Sequence, residues 1–266
     1  MNTDFLIHEM ANTYHGKRGE YLSSHLLGDF LENPKYYKQK VDGQVKDVDQ
    51  TAYIEGRAVH TRILEGQQIF NDTYIIGGGP INKTTGKPYG TDSKAYKEWA
   101  SEQTKELLTE TQGELVKSLN ETASQHSEAM DLLSVGVAEG VVRCEYMQIK
   151  CQIRIDWFNP EKGIVDLKTC KDLSWFESDA KRYNYPHQLA FYRSVLKSHT
   201  SIEFPVYMIA VEKKAPYRCG VWEVTREVLG IAQKENERAI ERLIACRKTG
   251  EYKDGYETIR KFDLIK

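Results

Sequence analysis

The order of apolar and polar positions divides the chain into a helical front part and a mixed back part. In EYLSSHLLGDFLENPKYYKQK, residues 20–40, Leu26, Leu27, Phe30 and Leu31 recur at helical spacing behind a serine cap. The pattern stops at Asn33-Pro34, because the residue before a proline disfavours the helical conformation. TAYIEGRAVHTRILEG, 51–66, repeats the spacing through Ile54, Ala58, Val59, Ile63 and Leu64, with Gly66 as the expected C-cap. A turn-rich segment, 75–93, follows. KAYKEWASEQTKELLTE and a second run to about residue 135 then read as helices with charged outer faces.

From residue 139 the period changes. VVRCEYMQI, KCQIRIDWF and GIVDLKT read as three successive short strands. SDAKRYNYPHQLAFYRSVLKS, 178–198, reads as a helix begun or interrupted near Pro186. IEFPVYMIAVEK and RCGVWEV read as a β-pair, and TREVLGIAQKENERAIERLIACRKTG as a long amphipathic helix ending at Gly250. No repeat, low-complexity tract or linker breaks the series. The expectation is one α/β domain over 1–266: a helical part to about 135, a core over about 136–250 and a tail over 251–266.

Composition adds mainly exclusions. With 40% hydrophobic and 29% charged residues the 266-residue chain is ordinary for a globular protein, and no apolar run approaches a membrane span. MNTDFLIHEM has no basic n-region and no long apolar stretch, so no secretion signal is expected. Five scattered cysteines without a CxxC pair fit a reducing cytoplasm and give neither zinc nor iron–sulfur spacing. A net charge of −2 means that any nucleic-acid contact must come from local patches. The glycines of 77–90 do not form a phosphate loop, since GKP stands where Gly-Lys-Ser/Thr is needed. Arg238, Arg242, Arg247 and Lys248 alternate with Glu235, Glu237 and Glu241, which describes a solvated helix face.

The charges that change the picture lie in GIVDLKTCKD, 163–172, where Asp166 and Lys168 interrupt an apolar strand. NPEKG, 159–163, has turn composition. A hairpin centred near Glu161 sets Asp156 opposite Asp166 and Arg154 opposite Lys168, with Ile153, Ile155, Val165 and Leu167 pointing the other way into a core. Directly opposed residues have Cβ atoms about 4.5–5.5 Å apart, and like charges there destabilise the pair. Two convergent carboxylates therefore call for a cation. Mg²⁺ suits such oxygen ligands, and an adjacent lysine would orient water or meet phosphate charge.

The string D-x₉-D-x-K, read as Asp156, Asp166 and Lys168, resembles the motif of the PD-(D/E)XK nuclease superfamily, without the proline of its name. HQLAFY, 187–192, resembles the Gln-xxx-Tyr element of its RecB-like exonuclease branch; Gln188 and Tyr192 stand i, i+4 on one helix face. EGRAVHTRILEG, 55–66, resembles the Gly-xxx-His-xxx-Leu-Glu segment of the RecE (exodeoxyribonuclease VIII) family. Similarity continues through SSHLLGDFLENPKYYKQK, INKTTGKPYG and VEKKAPYRCGVWEV, from about 20 to about 255.

The resemblance implies a restriction-endonuclease-like core: a mixed central sheet flanked by helices. It implies a metal-dependent double-strand DNA exonuclease working 5′ to 3′ to leave 3′ overhangs. Asp156, Asp166, His60, the Leu167 carbonyl and Glu139 (with Glu145 the alternative first-motif acid) would hold Mg²⁺ or Mn²⁺. Lys168 would support the water, while Gln188 and Tyr192 would position substrate. Arg154 reads as a phosphate contact or a cross-strand partner for a carboxylate. A toroidal homo-oligomer, a single-strand annealing partner and a phage or prophage setting in a bacterial cytoplasm are implied by analogy. A structure-specific or restriction-like endonuclease and a non-catalytic DNA-binding or assembly protein are the competing classes. The CRISPR-associated iron–sulfur nucleases do not fit, because the cysteine cluster is missing.

Overall fold

A computed structural model describes residues 3–45 and 51–261. A short α1 (Ala11–Gly16) precedes α2 (Ser24–Glu32), where the Ser23 side chain accepts from the Leu26 N–H as expected. Asn33 ends α2 and at once caps α3 (Pro34–Val41), accepting from Lys35 and Tyr36. The next helix is longer than its sequence pattern. α4 (Thr51–His60) passes into a π-helical turn, Thr61–Glu65, and then into α5 (Gly66–Thr73). Gly66 is the C-cap of the π-helical turn, as expected, its N–H donating to the Thr61 carbonyl, and a new helix starts from it. Its φ of 91° re-aims the run, a conformation that favours glycine.

β1 (Tyr74–Ile76) pairs in parallel with β2 (Glu106–Leu108), which lies inside a segment expected to be helical. Between them runs α6 (Lys94–Ser101), and after them α7 (Glu110–Gln125) and α8 (Ser127–Leu132). The main sheet follows: β3 (Val137–Tyr146), β4 (Ile149–Asn159), β5 (Gly163–Cys170), β6 (Val206–Glu212) and β7 (Cys219–Glu223), in that spatial order. β5 and β6 are parallel and the other neighbours antiparallel, so the sheet is mixed as expected. The parallel crossover carries α9 (Phe176–Arg182) and α10 (Tyr185–Thr200). α11 (Arg226–Thr249) ends at Gly250, whose φ is 74°. Beyond it, Tyr252 stacks on Tyr37 at 6.2 Å, so the tail's start packs on the core; residues 262–266 lie outside the described residues.

Two cores sandwich the sheet. Leu27 and Phe30 of α2, Leu189 and Val195 of α10, and Ile240 and Leu243 of α11 build one. Val59 of α4, Val116 and Leu119 of α7, and Leu132 of α8 build the other. Strict alternation along β3 and β4 does not hold across them. Ile153 and Ile155 pack toward α10, but so does Phe158, and Trp157 packs toward α7. On β3, Val142 and Val137 share the α10 side while Ala138 takes the other. Both strands thus reverse their pleat at one row, the Glu139/Asp156 row. Glu139 has a φ of 55°, and the paired neighbours Ala138↔Trp157 and Gly140↔Ile155 flank it. This corrects the single apolar face expected for the hairpin: Ile153 and Ile155 enter one core, whereas Val165 and Leu167 enter the other.

The turn centre near Glu161 is as expected, with Asn159↔Gly163, Phe158↔Ile164 and Trp157↔Val165 in register. There the β4–β5 ladder ends and the strands part. Arg154 accordingly does not pair opposite Lys168. The edge of β4 that β5 leaves is taken by Leu22, which donates to the Lys150 carbonyl and accepts from Gln152, both at 2.9 Å. At the hairpin joining β3 to β4, Met147 and Gln148 have φ of 50° and 63°, so the run expected as one strand to Ile149 turns inside itself.

Gly163, at a φ of 122°, fixes this register, and a Cβ there would collide with the Pro205 carbonyl oxygen. Gly163→Ala is expected to cost about 1–3 kcal/mol, read as a lowered urea midpoint at unchanged slope.

Candidate metal and phosphodiester site

The parting of β4 and β5 leaves a fork, and the charged residues gather in it. Continuing each register by one residue places Glu139 across from Asp156 and Asp156 across from Asp166, a row of acids over three strands. Asp156 stands where the ladder fails. Its Oδ2 accepts from the Leu167 N–H at 2.9 Å, replacing the missing strand partner with a side chain. His60 is the last residue of α4, immediately before the π-helical turn, and its Nδ1 is 3.5 Å from the same Asp156 oxygen. Such turns interrupt the regular hydrogen-bond ladder and are frequent at functional sites.

His60, Glu139 and Asp156 each offer one ligand atom, and these atoms lie within 4.8 Å of one another. Of the two candidate first-motif acids, Glu139 lies in the row, whereas Glu145 is exposed and stands opposite Lys150 in the hairpin. Asp166 is not in that triad. Its carboxylate is 1% exposed, and its Oδ2 lies 2.6 Å from Lys168 Nζ. The Lys168 ammonium therefore engages Oδ2, while the buried Oδ1 has no hydrogen-bond partner. Arg154 Nε pairs with Glu139 Oε2 at 2.8 Å, which makes it the carboxylate partner foreseen as one of its two roles.

Burial pushes the Glu139 carboxyl up to about 8, helped by Asp156, with Arg154 opposing. Burial also raises Asp166 to about 7 against the pull of Lys168. For Lys168 burial acts to lower the pKa, but Asp166 and Asp156 outweigh it and the amine is held above its ordinary value. Desolvation lowers His60, which keeps the imidazole neutral and able to ligate. Acids that a low-dielectric site pushes toward protonation, an unpartnered Asp166 oxygen, converging carboxylates and a neutral imidazole together fit a divalent cation.

Gln188 and Tyr192 are coupled: Gln188 Nε2 donates to the Tyr192 hydroxyl at 3.0 Å. Tyr192 is 4% exposed, so it supports Gln188 and leaves the half-buried amide as the group that can face a substrate. Two further side chains border the row, Tyr185 and the Glu65 that closes the Gly-xxx-His-xxx-Leu-Glu segment. Tyr185 lies under Lys168 Nζ, 4.8 Å from ring centre to nitrogen. Glu65, at the end of the π-helical turn, adds to the charge around Glu139. Tyr185 precedes Gln188 by one helical turn, but nothing in the sequence sets it apart from the other tyrosines.

A family described as a "PDDEXK-like domain of unknown function" (DUF3799) matches residues 23–260. Among solved structures, a protein from Eubacterium rectale described as a "putative exonuclease" is 18% identical, covers 97% of this chain and 96% of its own, and superposes with a TM-score of 0.68. At that identity the likeness shows the fold. No curated protein matches the chain. Among the described residues, no helix is long and apolar enough to cross a membrane.

Acids with raised pKa values bind more protons in the folded chain than in the unfolded one. Their stabilising contribution is complete below about pH 4 and is lost as pH rises through about 7 and 8. The melting temperature of the metal-free protein is therefore expected to fall between pH 5 and pH 8, with a shallower fall in Asp166→Asn. Millimolar Mg²⁺ or Mn²⁺ at pH 8 should raise it, and about 10–100-fold more metal should be needed by His60→Ala. A flat profile with no metal response would count against a cation at this row.

Proposed function

The chain belongs to the PDDEXK-like family DUF3799, within the PD-(D/E)XK superfamily, and from that premise we propose that it is a divalent-metal-dependent deoxyribonuclease acting on double-stranded DNA ends. The observation that carries the reading is the convergence of His60, Glu139 and Asp156 within 4.8 Å beside the buried Asp166–Lys168 pair. A divalent ion held by these residues, with the Leu167 carbonyl, would supply an activated water and charge stabilisation at the phosphate.

The chain's own groups have distinct tasks. Lys168 keeps its proton, so it serves as a fixed cation that donates to the attacking water or a phosphate oxygen. Arg154 holds Glu139 in the row, and the Leu167 N–H and His60 fix Asp156. Gln188, steadied by Tyr192, presents an amide to the strand being cut.

Exonuclease action is favoured over endonuclease action by the EGRAVHTRILEG and HQLAFY likeness to the RecE family and by the description of the Eubacterium rectale protein. The same likeness supports 5′ to 3′ polarity and 3′ overhangs for strand annealing. It also supports a ring-shaped homo-oligomer and an annealing partner in a bacterial cytoplasm.

Linear duplexes labelled at the 5′ or the 3′ end are expected to release nucleotides from the 5′ label first, with Mg²⁺ and not with EDTA, while a covalently closed circle stays intact. Lys168→Ala should keep its circular dichroism spectrum at the assay temperature, melt lower because Asp166 loses its partner, and lose about 10²–10³-fold in rate. A cut circle would favour an endonuclease. Unchanged nucleotide release in Lys168→Ala would remove the catalytic reading altogether.

A further inference from the structure

From Lys168 a series of charges and rings leads outward. Its ammonium lies 4.8 Å from the centre of the Tyr185 ring, Tyr185 lies 5.9 Å from Tyr183 at 31° between planes, and the Arg182 guanidinium lies 5.7 Å over Tyr183. The backbone arranges this. α9 stops at Arg182, Asn184 takes a φ of 57°, and α10 starts at Tyr185. The inner ring is braced from behind. Phe176, 1% exposed, sits 6.4 Å from Tyr185 and 4.6 Å from Trp222. The outer ring is 57% exposed and belongs to neither core. A largely exposed ring carrying a guanidinium, next to a second ring that carries the Lys168 ammonium, offers the π-surface and positive charge that an unpaired base and its backbone require.

We propose that Tyr183 and Tyr185 form a stacking shelf for an unpaired nucleobase flanking the phosphate that is cut, so that the strand arrives at Lys168 with that base out of the duplex stack. The proposal rests on the nuclease reading and adds to it which part of the substrate the protein recognises. Tyr183 takes the base face, Tyr185 sets the height of the shelf above Lys168, and Arg182 meets the backbone of the next nucleotide. Every base offers a π-face, so the shelf is indifferent to sequence and selects for a frayed strand. A merely structural Tyr183, covering Tyr185, would make no distinction between a base and an abasic sugar.

The test uses the full chain with Ca²⁺ in place of Mg²⁺ to suppress turnover, and single-stranded oligonucleotides carrying 2-aminopurine at the first, second or third nucleotide from the 5′ end. One of these positions is expected to be quenched on binding. Tyr183→Ala should lose that quench and bind about 10-fold more weakly, with Tyr183→Phe behaving as wild type. An abasic residue at the quenched position should weaken wild type by a similar factor and leave Tyr183→Ala unaffected. With Mg²⁺, the loss in Tyr183→Ala should fall more on KM than on kcat. Equal quench and affinity in wild type and Tyr183→Ala, with matching circular dichroism, would overturn the shelf alone. A wild-type protein that neither binds nor cuts would remove the nuclease reading, and the shelf with it.

Discussion

The mutual repulsion of carboxylates along one row of the sheet governs how this molecule is built around its site. Glu139, Asp156 and Asp166 occupy successive strands, and like charges at that spacing in a low-dielectric interior oppose one another strongly. Each acid is answered separately: Arg154 pairs with Glu139, Lys168 with Asp166, and Asp156 takes a backbone N–H and faces His60. These partners offset the charges without using up the oxygens. Lys168 meets one Asp166 oxygen while the other has no partner, and the Asp156, Glu139 and His60 ligand atoms still converge. A buried carboxylate oxygen left without a partner is costly, and a second cation at the row would offset that cost.

Much of this was legible in the sequence because it rests on local chemistry. Ser23, Asn33, Thr225 and Gly250 cap helices through their own side chains or backbone, and the Asn159–Gly163 turn fixes its hairpin from within. Features that depend on distant contacts were not legible. β1 and β2 span three residues each, too few for a period, and are held by Tyr74 and Leu108 in the core near α7. The pleat reversal was hidden for another reason: alternation assumes one backbone conformation along the strand, and nothing in VGVAEGVV marks Glu139 as left-handed.

The same distinction separates the residues of the site. Asp156, Asp166 and Lys168 stand close together in sequence, and His60 and Gln188 were reached through resemblance. Tyr183 and Tyr185 could not be singled out among 16 tyrosines, because their meaning lies in the height of a ring above an ammonium. Tyr192 shows the converse. Its position in the motif was evident, yet burial gives it the role of holding Gln188, and only packing reveals that.

The fork between β4 and β5 and the reversal at Glu139 and Asp156 are one feature seen from two sides. α4 lies on the sheet face of Val165 and Leu167, while Tyr185 and Gln188 lie on the other. In an unbroken ladder a β-sheet separates its two faces, and His60 could not meet the same group as Lys168. Where the ladder ends at Trp157↔Val165, Asp156 takes the Leu167 N–H in the gap and stands within reach of His60, with Asp166 and Lys168 just across it. The left-handed Glu139 brings a second acid to that opening from β3. Closing the fork by one further strand pair would stabilise the sheet and separate the imidazole from the amine, so the missing hydrogen bonds are the condition under which both faces serve one site.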